Sequence, residues 1–136
     1  MTTQSEQSLE NNLIQQLVGL GYEQVDVTDD KQLVANFQVQ LQRLNQVELT
    51  DHEFTQILNF INKGNIFNRA KVLRDRVPYV DADGETRTVQ LLDGLNVESN
   101  IMQVTQQVRM EGRYKTRYDV TLLINGLPLV QIELKR

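Results

Sequence analysis

The chain has 136 residues, no cysteine and a formal net charge of −4 at pH 7, with 40% hydrophobic and 24% charged residues. That length suits one domain spanning 1–136, and the missing cysteines exclude both a disulfide framework and a thiolate metal site. With no signal-peptide pattern and no apolar run of about eighteen residues, secretion and membrane spanning are not expected, and a cytoplasmic location is.

Leu9, Leu13, Ile14, Leu17 and Leu20 recur at helical spacing, and Gly21 offers a stop, so a helix is expected over 5–20. Glu6 and Glu10 border its apolar stripe, near an amino terminus that favours negative charge. A second helix is expected over 31–46 through Leu33, Phe37, Leu41 and Leu44. Thr50-Asp51-His52-Glu53 reads as a capping box opening a third helix, with Phe54, Ile57, Leu58 and Ile61 inward and Gly64 closing it. His52 falls in its first turn as a surface residue, and a short helical turn is expected over 66–74.

Strands are expected after Arg76. Val77–Val80 and Thr86–Leu92 should form a hairpin across Asp81-Ala-Asp83-Gly84. Asp-x-Asp-Gly also occurs in calcium loops, but the later ligands of such a loop do not fall at the required spacing, so a turn is expected. Ile101–Met110 and Tyr118–Glu133 supply the remaining strands. The expected fold class is α/β (α+β), amino-terminal helices followed by a mixed β-sheet.

The most informative segment is Asp119-Val-Thr-Leu-Leu-Ile-Asn-Gly-Leu-Pro-Leu-Val-Gln-Ile-Glu133-Leu-Lys135-Arg136. Two apolar runs flank an Asn-Gly turn, so it reads as a hairpin. Residues i and i+2 of a strand share a face, which places Glu133 and Lys135 side by side. A regular two-residue loop would pair Asp119 with Ile132 and turn it away from Glu133. An odd-length loop or a bulge centred on Gly126 would pair Asp119 with Glu133 instead. Pro128, which lacks a donor, favours such an irregular turn. Two acids and an amine would then meet at one sheet edge, the equipment for metal-dependent phosphodiester hydrolysis.

Charge supports a polyanionic substrate only locally. Arg109, Arg113, Lys115, Arg117, Lys135 and Arg136 outweigh Glu111, Asp119 and Glu133, so residues 109–136 carry +3 and the rest of the chain carries −7. Arg113, Lys115, Arg117 and Arg136 are candidate contacts to a DNA backbone, with an ordinary solvated loop as the alternative. No Gly-x-x-x-x-Gly-Lys-Ser/Thr loop occurs, so ATP is not bound by these residues in that way.

The run Arg117–Lys135 closely resembles the nuclease segment of the restriction (R) subunit of type I restriction-modification enzymes. Asn100-Ile-Met-Gln-Val-Thr-Gln-Gln107 and the early Ser5-Glu6…Leu9-Glu10…Leu13-Ile14…Gly21-Tyr22 are also similar to that family, and the resemblance is weak between residues 25 and 95. It implies a restriction-endonuclease-like PD-(D/E)xK core, with Asp119 and Glu133 as the metal-binding acids and Lys135 as the catalytic lysine. Tyr118 stands where the stricter motif has proline. The metal implied is Mg²⁺, which takes one or two protein carboxylates, with the Leu134 carbonyl a further candidate donor. Glu10 matches a glutamate that joins the site from the first helix in several relatives of the fold.

The family further implies ATP-driven motor domains after the nuclease, double-stranded DNA as substrate, and methyltransferase and specificity subunits as partners. Sequence recognition would belong to the specificity subunit, since nothing here looks like a groove-reading helix. The expected function is therefore an Mg²⁺-dependent endonuclease domain cutting foreign duplex DNA after translocation. The chain reads as a fragment with an incomplete core. Two alternatives are a stand-alone repair or resolvase-like nuclease of the same fold, and a non-catalytic docking module that binds through helices 31–64.

Overall fold

The computed structural model describes residues 5–62, 73–110 and 116–134. It comprises two compact units, Met1–Phe37 with Ile101–Arg136, and Gln38–Asn100.

The first unit opens with α1 (Glu6–Gly19). The Ser5 hydroxyl accepts the Ser8 N–H at 3.1 Å, satisfying one of the donors a helix start leaves open. At the other end Gly21, with φ 106°, adopts the left-handed conformation that ends many helices. The Tyr22 and Gly21 N–H groups donate back to the Leu17 and Val18 carbonyls at 3.1 and 3.0 Å. The expected helix and its glycine stop are both present. Leu20 departs from expectation: as the cap residue it is 77% exposed rather than part of the core.

The sheet of this unit runs in the order β1-β4-β5-β6. The strands are β1 (Glu23–Gln24), β4 (Met102–Met110), β5 (Thr116–Ile124) and β6 (Leu127–Ile132). β1 is parallel to β4, and the other pairs are antiparallel, so the sheet is mixed as expected. Sequence reasoning missed β1, whose two residues are polar and exposed. The trace it left is Val25-Asp-Val27, an alternation next to the strand. Val25 N–H donates to the Val104 carbonyl at 2.9 Å, and the Thr105 hydroxyl bridges both backbone groups of Val27.

Burial defines two faces of this sheet. On one, Ile14 of α1 packs with Val104 and Val120, joined by Leu13, Leu17, Tyr22, Leu122, Ile132 and Leu134. On the other, Leu33 from the start of α2 (Asp30–Asn45) packs with Val27, Val108 and Leu123. These strands are therefore covered by apolar side chains on both faces.

The second unit holds α3 (Asp51–Asn62), β2 (Arg76–Val80) and β3 (Thr86–Gln90), with a short 3-10 turn at Val97–Ser99. The capping box forms as read: Thr50 N–H donates to Glu53 at 2.8 Å, and Glu53 N–H donates to the Thr50 hydroxyl at 3.2 Å. Phe54 and Ile57 are buried, and α3 packs against β2, which buries Val77 and Tyr79. β2 and β3 form the expected hairpin, Val77 facing Val89 and Tyr79 facing Arg87. Its loop is a turn and not a cation site, because the Asp81 carboxylate is taken by the N–H groups of Asp83 and Glu85 and by Arg87. His52 is exposed. Gly64 and most of the helical turn at 66–74 lie outside the described residues.

Candidate active site

The hairpin that carries the acids is shaped by its turn. Asn125 and Gly126 have φ of 53° and 83°, the pair of left-handed residues a two-residue hairpin loop requires, and Ile124 pairs with Leu127 across it. The expectation of an irregular turn centred on Gly126 is therefore corrected: the turn is regular. The irregularity lies further along β6. Leu123 faces Pro128 but Leu122 faces Val130, so Leu129 is a bulged extra residue directly after the proline.

That single residue decides the register. Beyond it Thr121 faces Gln131 and Val120 faces Ile132. Continuing outward by one residue sets Asp119 across from Glu133, the arrangement a bulge was expected to produce. Core packing enforces it. Without the bulge, Gln131 would replace Ile132 opposite Val120, putting an amide where α1 requires an apolar side chain. Because Ile132 and Leu134 join the α1 face, Glu133 between them belongs to the other face. Asp119 alternates with Val120 and belongs there too.

The Asp119 carboxylate accepts the backbone N–H of Leu134 at 2.7 Å through Oδ2, and no hydrogen bond to Oδ1 occurs among the described residues. Asp119 is half-buried and Glu133 exposed. Thr121, two residues inward on the same face, is fully buried, and its hydroxyl has no hydrogen-bond partner among the described residues. Two carboxylates offering hard oxygen donors fit an Mg²⁺ ion, which takes most of its remaining ligands from water and phosphate. Among the described residues, no three of His, Cys, Asp and Glu converge as a metal-binding group.

Glu10 is not brought to this pair. It lies on α1, 3% exposed, and its carboxylate accepts the side-chain amides of Gln107 at 2.5 Å and of Gln7 at 3.4 Å. Gln107 is a residue that sequence reading did not single out. It sits in the middle of β4 with φ 59°, and the pairs Gln106–Val120 and Val108–Tyr118 on either side place it opposite Asp119. The signal in the sequence was the double polar step Gln106-Gln107, which breaks alternation between Val104 and Val108. Lys135, Arg136, Arg113 and Lys115 lie outside the described residues. The backbone of Arg117 is in β5, opposite Arg109.

Comparison with known proteins finds relatives along the whole chain. Residues 3–136 match the family described as the type I restriction enzyme R protein N terminus. The chain is 47% identical over 141 residues to the SauCOLORF180P endonuclease subunit of a type I restriction enzyme from Staphylococcus aureus strain COL, covering all of this chain. It is 42% identical over 139 residues to the EcoprrI endonuclease subunit from Escherichia coli, covering 98% of this chain and 44% of that protein. A putative type I restriction enzyme subunit of Methanocaldococcus jannaschii, MjaVIIIP, is 31% identical over 81 residues, or 60% of this chain. The chain spans 15% of the length of the staphylococcal relatives it matches.

Proposed function

The chain belongs to the family of type I restriction enzyme R protein N termini, and on that premise we propose that it is the endonuclease domain of such a subunit, with a PD-(D/E)xK active site at Asp119, Glu133 and Lys135. The observation that carries the reading is the bulged register, which sets Asp119 across from Glu133 where a regular hairpin would separate them.

Asp119 and Glu133 would hold Mg²⁺, which when bound supplies Lewis-acid polarisation of the scissile phosphate and a more acidic water. Asp119 is steadied for this by the Leu134 N–H, which occupies one carboxylate oxygen and leaves the other for ligation. Lys135 positions the attacking water and offsets the charge that grows on the phosphorus oxygens. Arg113, Lys115, Arg117 and Arg136 draw in the phosphate backbone of duplex DNA. ATP hydrolysis and translocation belong to motor domains elsewhere in the subunit, sequence recognition to a specificity subunit, and the methyltransferase completes a cytoplasmic assembly.

The test uses the full-length subunit assembled with its methyltransferase and specificity partners, comparing wild type with Lys135→Ala in one Mg²⁺ buffer. Lost DNA cleavage with DNA-stimulated ATP hydrolysis intact is the expected result. Undiminished cleavage would place the chemistry elsewhere.

A further inference from the structure

Gln107 adopts left-handed backbone in mid-strand, a conformation that residues with side chains rarely take and that needs support from its surroundings. The pairs on either side of it, Gln106–Val120 and Val108–Tyr118, place it opposite Asp119. Cross-strand partners in ordinary alternation share a face, with their side chains about 4.5–5.5 Å apart at Cβ. Regular backbone at 107 would therefore stand a five-heavy-atom amide side chain beside Asp119.

The structure shows the reverse. The Gln107 amide donates to Glu10 on α1, the helix that covers the Val104 and Val120 face. Val108, which by simple alternation would share that face with Val104, packs instead with Leu33 and Leu123. The alternation of β4 is reset at one residue, and the side chain of 107 leaves the face that Asp119 and Glu133 share.

We propose that Gln107 is a positioning residue for Asp119: its left-handed backbone, clamped by Glu10, keeps the residue-107 side chain off Asp119's face and leaves room there for the phosphate and its water. Glu10 then acts through Gln107 as the anchor of a strained residue, which accounts for a buried carboxylate on the first helix that does not join the two acids. This inference rests on the nuclease reading above.

Substitutions at 107 separate backbone from amide. In the full-length subunit with its partners, Gln107→Gly and Gln107→Asn accept left-handed backbone and should lose cleavage only a few-fold. Gln107→Ala should lose more, and Gln107→Val about a hundredfold, the scale of a misplaced catalytic geometry. The alanine variant carries the comparison if the valine variant fails to fold. Mn²⁺ titration of the nucleotide-free subunit, followed by electron paramagnetic resonance, should rank the variants in the same order.

Alanine and glycine variants that cleave and bind Mn²⁺ alike would overturn the proposal, as would loss in glycine with retention in asparagine. Asp119→Asn is the control for the underlying reading. If it cleaves and binds Mn²⁺ as wild type does, the nuclease assignment fails. If it is inactive while alanine equals glycine at 107, only the positioning role fails.

Discussion

Asp119 and Leu134 are joined by a 2.7 Å hydrogen bond from the backbone N–H of the second to the carboxylate of the first. Leu134 also packs its half-buried side chain on the α1 face. The residue between the acid and the lysine of the Glu-x-Lys run thus fixes the end of the hairpin twice, by its side chain to the core and by its amide to Asp119.

Asparagine at 119 keeps an oxygen that can accept the Leu134 N–H but loses the charge a cation needs. Asp119→Asn should therefore leave the thermal midpoint close to wild type while abolishing cleavage. Outer-shell partners alone cost about 10–100-fold when removed, so a direct ligand should cost at least that. Parallel melting curves and cleavage assays across an Mg²⁺ series check both halves.

Deletions on the two sides of Val130 should have opposite effects. Removing Leu129 takes out only the bulged residue, and Val120 still faces Ile132, so Glu133 stays opposite Asp119. Removing Gln131 moves Glu133 opposite Val120, onto the α1 face, and Ile132 off it. Cleavage should survive the first deletion and fall about a hundredfold or more with the second. Equal loss from both would count against the register as the organising feature.

Gly126 should tolerate no side chain. A Cβ there would lie 2.6 Å from the Phe37 Cα, and φ is 83°. Gly126→Ala should destabilise the chain by about 2–5 kcal/mol, combining overpacking with left-handed strain. At Gly84 φ is 81° but nothing lies within 4 Å of the added atom. Gly84→Ala should cost only the strain, about 1–2 kcal/mol. Urea denaturation of the two variants gives the comparison.

Acid should loosen the β2–β3 hairpin in a defined window. The Arg87 hydrogen bond, and after it the N–H groups of Glu85 and Asp83, hold the Asp81 carboxyl below its ordinary value of 3.8. A carboxyl lowered in the folded state contributes stability that is complete above the unfolded value and lost as pH falls through the folded one. The difference in urea midpoint between wild type and Asp81→Asn should be flat above the ordinary value and shrink below it. A difference that grew toward acid would contradict this sign.

Local signals made most of the fold legible. Ser5 and Gly21 bound α1, and the Thr50–Glu53 box opens α3, because caps satisfy backbone groups that neighbours in sequence must supply. Leu20 was misread because periodicity carries no information about where the core ends. β1 was invisible because its identity as a strand comes from β4, with Val27 and Thr105 meeting across 78 residues. In the candidate site, Asp119 and Glu133 could be paired from the sequence only conditionally. The bulge could be anticipated from Pro128, but its place at Leu129 follows from which residues α1 buries. Gln107 was legible only as the double polar step Gln106-Gln107, since its left-handed conformation in a strand is supported by Glu10, a partner on another element.

The first unit is interrupted: its two segments, Met1–Phe37 and Ile101–Arg136, flank the whole of the second. During synthesis from the amino terminus, α1 leaves the ribosome long before Val104, Val120 and Ile132 exist to cover Ile14. The second unit is continuous and can close while α1 still carries an uncovered apolar stripe. The hairpin bearing the acids is the last described part to arrive. The two acids cannot face one another until that hairpin is made, and until then α1 would meet chaperones or proteases with its apolar stripe uncovered.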